Sequence, residues 1–137
     1  MKRHESREAA FLLIFESIMT GESAEETLQT AKECEELGCG LFELDARSEM
    51  LFRNVYEKRE ELDACIQQHL TGWTVARISK VALAALRLAL YEMDYCDDVD
   101  ADVAISEAVK LTEAYAMKEE VGFVNGVLAS AAKARKQ

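Results

Sequence analysis

No proline occurs anywhere in the 137 residues, and only six glycines do. Sandwiches and barrels turn the chain about every 8–12 residues with glycine and proline, so a chain this poor in both lacks the chemistry of hairpins and edges. Alanine, leucine, glutamate and lysine, all strong helix formers, dominate instead. An all-α fold of about seven helices follows. Half the residues are apolar and 31% are charged, a globular balance rather than a disordered one. The length suits one domain, 1–137.

The apolar residues fall at helical spacing. Ala10, Leu13, Ile14 and Ile18 mark a first helix over about 6–20, stopped by Gly21. Ser23 and Glu26 fit a capping box for a second, ending near Gly38, and Cys39-Gly40-Leu41 reads as a loop. Leu44, Ser48, Leu51, Val55, Leu62, Ile66 and Leu70 trace one side of a long third helix with a break near Glu60. Gly72-Trp73-Thr74 then interrupts, and the boundary between two half-bundles, about 1–71 and 72–137, is expected here. Thr74 is placed to cap a short turn at 75–78, and Trp73 to plug the joint.

Residues 81–93 are apolar nearly all round, so this helix is expected to be the buried centre of the second half. Its one cation, Arg87, needs a carboxylate such as Glu92 or Glu107, or an outlet at the surface. The acid-rich turn 97–102 precedes a helix carrying Val103, Ile105, Ala108, Val109, Leu111 and Tyr115 inward. The last helix starts near Glu119, points Phe123, Val124, Val127, Leu128 and Ala131 inward, and frays over 133–137. Gly126 in its interior suggests close packing against another backbone.

Net charge is −10, which taken whole opposes phosphate binding, yet the acid is concentrated in two blocks. Residues 22–62 hold twelve acids and five bases, and 92–120 hold ten acids and two bases, while 121–137 hold three bases and no acid. A basic face on an acidic protein is therefore compatible with the sequence, as are ordinary solvated helix faces. Lys2, Arg3 and Arg7 at the start of the first helix read either as a phosphate-binding cluster or as a basic tail. Phe123 reads as core by periodicity, or as a stacking platform for an unpaired base.

Cys34, Cys39, Cys65 and Cys96 form no CxxC pair and are not spaced with His4 or His69 as metal ligands, so reduced, partly buried thiols and no metal are expected. Phosphate loops, nucleophile elbows and metalloprotease or kinase signatures are absent, so binding rather than catalysis is expected, without cofactor or small-molecule substrate. No apolar run is long enough for a bilayer, and no signal-peptide core follows the first residues. A cytoplasmic location is the expectation.

Three stretches resemble one family, the bacterial transcription antitermination factor NusB. They are Lys2-Arg3-His4-Glu5-Ser6-Arg7-Glu8-Ala9-Ala10 with Leu13-Ile14-Phe15; His69-Leu70-Thr71-Gly72-Trp73 and Arg77-Ile78-Ser79-Lys80-Val81 leading to Leu86-Arg87-Leu88-Ala89-Leu90-Tyr91-Glu92-Met93; and Val103-Ala104-Ile105-Ser106-Glu107-Ala108-Val109 with Phe123-Val124-Asn125-Gly126-Val127-Leu128. They stand in family order and spacing over nearly the whole chain. The departures are His4 for a frequent arginine, Asp100 for proline, Ser106 for asparagine, and Gly122 for a frequent lysine or arginine.

The resemblance implies two three-helix bundles plus a further helix, and boxA RNA of ribosomal RNA transcripts, ribosomal protein NusE and the RNA polymerase antitermination complex as partners. It implies RNA contact at the arm of Lys2, Arg3 and Arg7 and at Phe123 and Glu119, and marks Arg87 and Asn125 as structural or RNA-side residues of the same surface. It places Phe15 and Ala82 near the NusE and RNA surface. A scaffold of the same complex with weak RNA binding of its own is the alternative, since the cations usual at 4 and 122 are missing. The length leaves no space for the methyltransferase domain to which similar helical domains are fused.

Overall fold

The structure, a computed structural model, describes residues 2–40 and 42–135. Among them are seven α-helices: α1 (Arg3–Thr20), α2 (Ala24–Glu36), α3 (Ala46–Glu57), α4 (Arg59–Gln68), α5 (Lys80–Tyr95), α6 (Ala101–Tyr115) and α7 (Lys118–Arg135). A 3-10 turn at Val75–Arg77 precedes α5. None is long and apolar enough to cross a membrane. The chain divides into two units, one ending at Glu57 and one starting at Lys58.

The first unit holds α1, α2 and α3, each packed on the other two. Local chemistry sets their ends. Gly21, at φ +75°, caps α1 by donating its N–H to the Ser17 carbonyl, a left-handed conformation open to glycine. At α2 the expected capping box is present: the Ser23 hydroxyl accepts from Glu26 N–H, and the Glu26 carboxylate accepts from Ser23 N–H, both at 3.2 Å. The charge-assisted bond holds the Glu26 carboxyl below its ordinary value.

Asp45 caps α3, accepting the Ser48 N–H at 2.8 Å through Oδ1 and the Ser6 hydroxyl at 2.5 Å through Oδ2. It thereby ties α3 to the first turn of α1. Burial pushes the Asp45 carboxyl up, but the donors from Ser6 and Ser48 outweigh it and hold the group below its ordinary value. Ala9, Ala10, Phe11, Leu13 and Ile14 of α1, Leu28 of α2, and Leu51, Phe52 and Val55 of α3 are buried.

The expected break in the long third helix falls at Lys58, whose backbone (φ −97°, ψ 12°) leaves the helical region between α3 and α4. The unit boundary therefore lies at 57/58 and not near 71/72. The physical reason is that α4 packs on α5, with Leu62 and Ile66 buried. The second unit thus has four helices, with α5 contacting α4, α6 and α7.

Residues 82–92 of α5 are buried at every position except Arg87. Arg87 finds neither Glu92 nor Glu107. Its Nε and Nη2 donate to the two carboxylate oxygens of Asp63 on α4, both at 2.7 Å. This planar fork-to-fork pair satisfies a largely covered guanidinium. Asp63 escaped the sequence reading because α4 was taken as the tail of the third helix.

Other expectations shift. Ser79, not Thr74, supplies a cap, accepting Ala82 N–H at 3.0 Å at the start of α5; Thr74 makes no side-chain cap. On α6 the buried face is Ala104, Ala108, Leu111 and Thr112, whereas Val103 and Tyr115 are exposed. On α7, Val124, Val127, Leu128 and Ala131 are buried as expected. Arg135 does not fray: its guanidinium binds both oxygens of Asp94, at 2.5 and 2.8 Å. The fraying expected at Lys136 and Gln137, and the loop position Leu41, lie outside the described residues.

Gly126 is exposed, and a Cβ built there would meet nothing within 4 Å, so no close backbone explains it. Gly126→Ala is therefore expected to stabilise the protein by about 0.5–1 kcal/mol, read as a higher midpoint in urea unfolding; a loss of stability would show that the glycine is structurally required.

Asp45→Ala is expected to cost about 1–2 kcal/mol at neutral pH through the lost cap. Because the folded carboxyl titrates below the unfolded one, its contribution is complete above about pH 4 and lost as pH falls through the folded value. Urea midpoints of the variant and parent should converge on acidification; a gap that persists at pH 2 contradicts this.

Candidate nucleic-acid interface

In the first unit, Lys2, Arg3 and His4 are exposed at the start of α1. The Glu5 carboxylate turns back to accept Lys2 N–H at 3.2 Å, and the Lys2 carbonyl accepts from Glu5 and Ser6 N–H, which orders the start of this arm. Arg7 departs from expectation. It is 5% exposed and engaged within the protein, so the solvent-facing cations of the arm are Lys2 and Arg3. Position 7 follows one turn after the helix start and lies on the side that buries Phe11 and Ile14, which is why its charge turns inward. Phe15, on the same helix, is half-buried.

In the second unit, a cavity of about 330 Å³ is lined by Trp73, Arg77, Ile78, Ser79, Ala82, Glu119, Glu120 and Phe123. It lies where the start of α5 meets the start of α7. The Ser79 hydroxyl, besides capping α5, donates to the Glu120 carboxylate, whose other oxygen accepts Met117 N–H at 3.3 Å. Glu120 is thus committed to holding the two helix starts together.

Glu119 and Phe123, one turn apart on α7, both line this groove. Phe123 is half-buried, neither a core residue nor a free ring. Ala82 is only 1% exposed, so its role is limited to the floor of the cavity.

Trp73 does not plug a joint. Its side chain is 54% exposed and forms part of the groove wall. Two hydrogen bonds from one residue place it: Gln67 Nε2 donates to the Trp73 carbonyl, and Gln67 Oε1 accepts Val75 N–H, both at 3.0 Å. Gly72, at φ +77°, lets the chain turn sharply just before the indole.

The remaining assignments separate from this groove. Arg87 is held by Asp63 and does not line it. Asn125 is exposed, but two residues along a helix from Phe123 places it roughly on the opposite side of α7. Gly122 is exposed with open space around it. Sequence reasoning missed Arg77, Ser79, Glu120 and Gln67. Only Ser79 carried a signal, a serine directly before an apolar helix.

The groove thus combines two aromatic walls, one cation and two carboxylates, of which Glu120 is committed to Ser79 and the start of α7, leaving Glu119 to face a mainly apolar cavity. Such a set can clasp a planar ring, draw a phosphate and accept a hydrogen bond from a base edge. Among the described residues no His/Cys/Asp/Glu group could hold a metal ion.

Known proteins are similar to this chain over nearly its whole length. The NusB family model matches residues 4–133. The transcription antitermination protein NusB of Carboxydothermus hydrogenoformans is 40% identical over 93% of this chain and 90% of its own length. That of Acetivibrio thermocellus is 38% identical over 98% and 91%. Among solved structures, a chain in the crystal structure of antitermination factors NusB and NusE in complex with dsRNA superposes with a TM-score of 0.80 at 28% identity, covering 96% of each chain. With the family model matching residues 4–133 and relatives of 38–40% identity covered over nine-tenths of their length, the chain belongs to the NusB family.

Proposed function

We propose that this chain is a cytoplasmic transcription antitermination factor that binds boxA RNA of ribosomal RNA transcripts together with ribosomal protein NusE, and so helps RNA polymerase read through terminators. It acts by binding, not catalysis. The observation that carries this reading is the half-buried Phe123 on the wall of an apolar groove, beside Trp73, Arg77 and Glu119. Single-stranded RNA is recognised by stacking unpaired bases on aromatic rings, and a ring fixed by packing on one face presents the other at small entropic cost. Curated relatives at 38–40% identity are transcription antitermination proteins, and a structural neighbour was solved with NusE and RNA.

Within this reading Lys2 and Arg3 meet backbone phosphates, Arg77 does the same at the lip of the groove, and Glu119 accepts from a base edge. Phe15 and the surface around Ala82 serve the partner. Arg7 and Arg87 act by packing and pairing inside the protein. The net charge of −10, with only Lys2 and Arg3 solvent-facing in the arm and Arg77 as the one cation lining the groove among the described residues, favours a complex in which a basic partner supplies further charge. The same observations support the second reading, a scaffold with weak RNA binding of its own.

Titration of labelled boxA RNA is expected to show weak binding by the chain alone and at least tenfold tighter binding with NusE present. With about three phosphates neutralised by the chain alone, log K should fall with log salt at a slope near −2. Equal affinity with and without NusE overturns the joint-binding reading; no measurable RNA contribution in the complex favours the scaffold.

Phe123→Ala is expected to shift the melting temperature by only a few degrees while weakening RNA binding in the complex by roughly 1–3 kcal/mol. A stability loss of about 3–5 kcal/mol, that of a core deletion, would return this ring to the core.

A further inference from the structure

The end of α2 brings two cysteines together through backbone geometry alone. Gly38, at φ +73°, donates its N–H to the Glu35 carbonyl at 3.1 Å, and Cys39 donates its N–H to the Cys34 carbonyl at 2.9 Å. This pair of bonds, with a left-handed glycine between them, is the Schellman ending of a helix. In it, the residue after the glycine folds back so that its side chain lies against the one five positions earlier, a contact usually made by two apolar groups. Here both positions are cysteine. The Cys39 Sγ lies 3.5 Å from the Cys34 carbonyl oxygen, and both thiols are reduced. Cys39 is exposed and Cys34 half-buried.

We infer that Cys34 and Cys39 form a dithiol modification site that closes to an intrahelical-cap disulfide on reaction with a small disulfide, preferentially a cationic or neutral one. The Cys39 thiolate attacks one sulfur of the small disulfide RS–SR, forming a mixed disulfide at Cys39 and releasing RS⁻. The Cys34 thiolate then attacks Cys39 Sγ, forming the protein disulfide and releasing the second RS⁻; the two thiol protons go to solvent or to the released thiolates. One disulfide is reduced and one is formed. The closed loop is only six residues and is already held by the two backbone bonds, so the second step requires little ordering of the chain.

The preference for reagent follows from charge. Glu33, Glu35 and Glu36 surround the pair in sequence, and Glu43 lines the adjoining cavity with Glu35, Gly38, Gly40 and Phe42. An anionic disulfide is repelled by such a surface and a cationic one drawn to it. Hydrogen bonding with the Cys39 thiol, burial, and the nearby Glu16 and Glu33 push the Cys34 thiol above its ordinary value, which leaves Cys39 as the first nucleophile.

The test exposes the folded, reduced protein near pH 8 to cystamine, a dication, or to oxidised glutathione, an anion, followed by acid quench and tryptic mass mapping. Lys32 and Arg47 bound one peptide that holds both cysteines and no other. With cystamine this peptide should lose two hydrogens, and do so at least several-fold faster than with glutathione. Gly38→Ala, which strains the left-handed cap, should slow closure several-fold, and Cys34→Ser should leave a lasting cysteamine adduct on Cys39. A parent peptide that keeps its adducts without closing, or a Gly38→Ala protein that closes as fast as the parent, overturns the dithiol site; faster reaction with glutathione overturns the cationic preference.

Discussion

The fork between Arg87 and Asp63 ties α4 to α5 at the one position between residues 82 and 92 that is not fully buried. Between residues 82 and 92 helix α5 is buried on nearly every side, yet this stretch contains one arginine. A guanidinium left unpaired at that depth would cost several kcal/mol, so the side chain that covers this face of α5 has to bring a carboxylate. Asp63 on α4 does so with both oxygens. The pair thereby selects which helix lies over Arg87 and fixes its register, a demand that hydrophobic contact alone does not make. With α4 so committed, α6 and α7 take the remaining sides of α5.

The groove depends on that arrangement at one remove. Its parts come from three places: the loop after α4, the start of α5 and the start of α7. The last two are helix starts, where backbone groups are unsatisfied and short polar side chains find work as caps and ties. Ser79 and Glu120 illustrate this, since both serve the helix ends while standing in the cavity wall. Groove lining and helix termination thus share residues, and a change at either one affects both.

Much of the fold could be read from the chain because its signals are local. Gly21 and the Ser23–Glu26 pair act within one turn, and the burial of Val124, Val127, Leu128 and Ala131 follows from spacing along a single helix. What could not be read depends on a partner distant in sequence. Arg87 needed a carboxylate, which chemistry demands, but Asp63 stands 24 residues away, and the nearer Glu92 and Glu107 were equally plausible by composition. Trp73 was misplaced for a related reason. A large indole beside a glycine favours burial on average, whereas the hydrogen bonds from Gln67 hold this loop with the ring 54% exposed. The arm shows the opposite case: a basic run suggests an exposed cluster, but Arg7 belongs to the buried side of α1.

The bracket formed by Gln67 has a consequence for how such a groove diverges. The residue lies in the last turn of α4, is absent from the cavity lining, and still decides where one of the two aromatic walls stands. Its amide must donate on one side and accept on the other, a pattern that glutamate at neutral pH cannot reproduce because it has no donor. Drift at this single position can therefore widen or narrow the groove without altering any side chain that a ligand would touch. Recognition in this fold is adjustable from outside the contact surface, and two sequences with the same groove residues need not present the same groove.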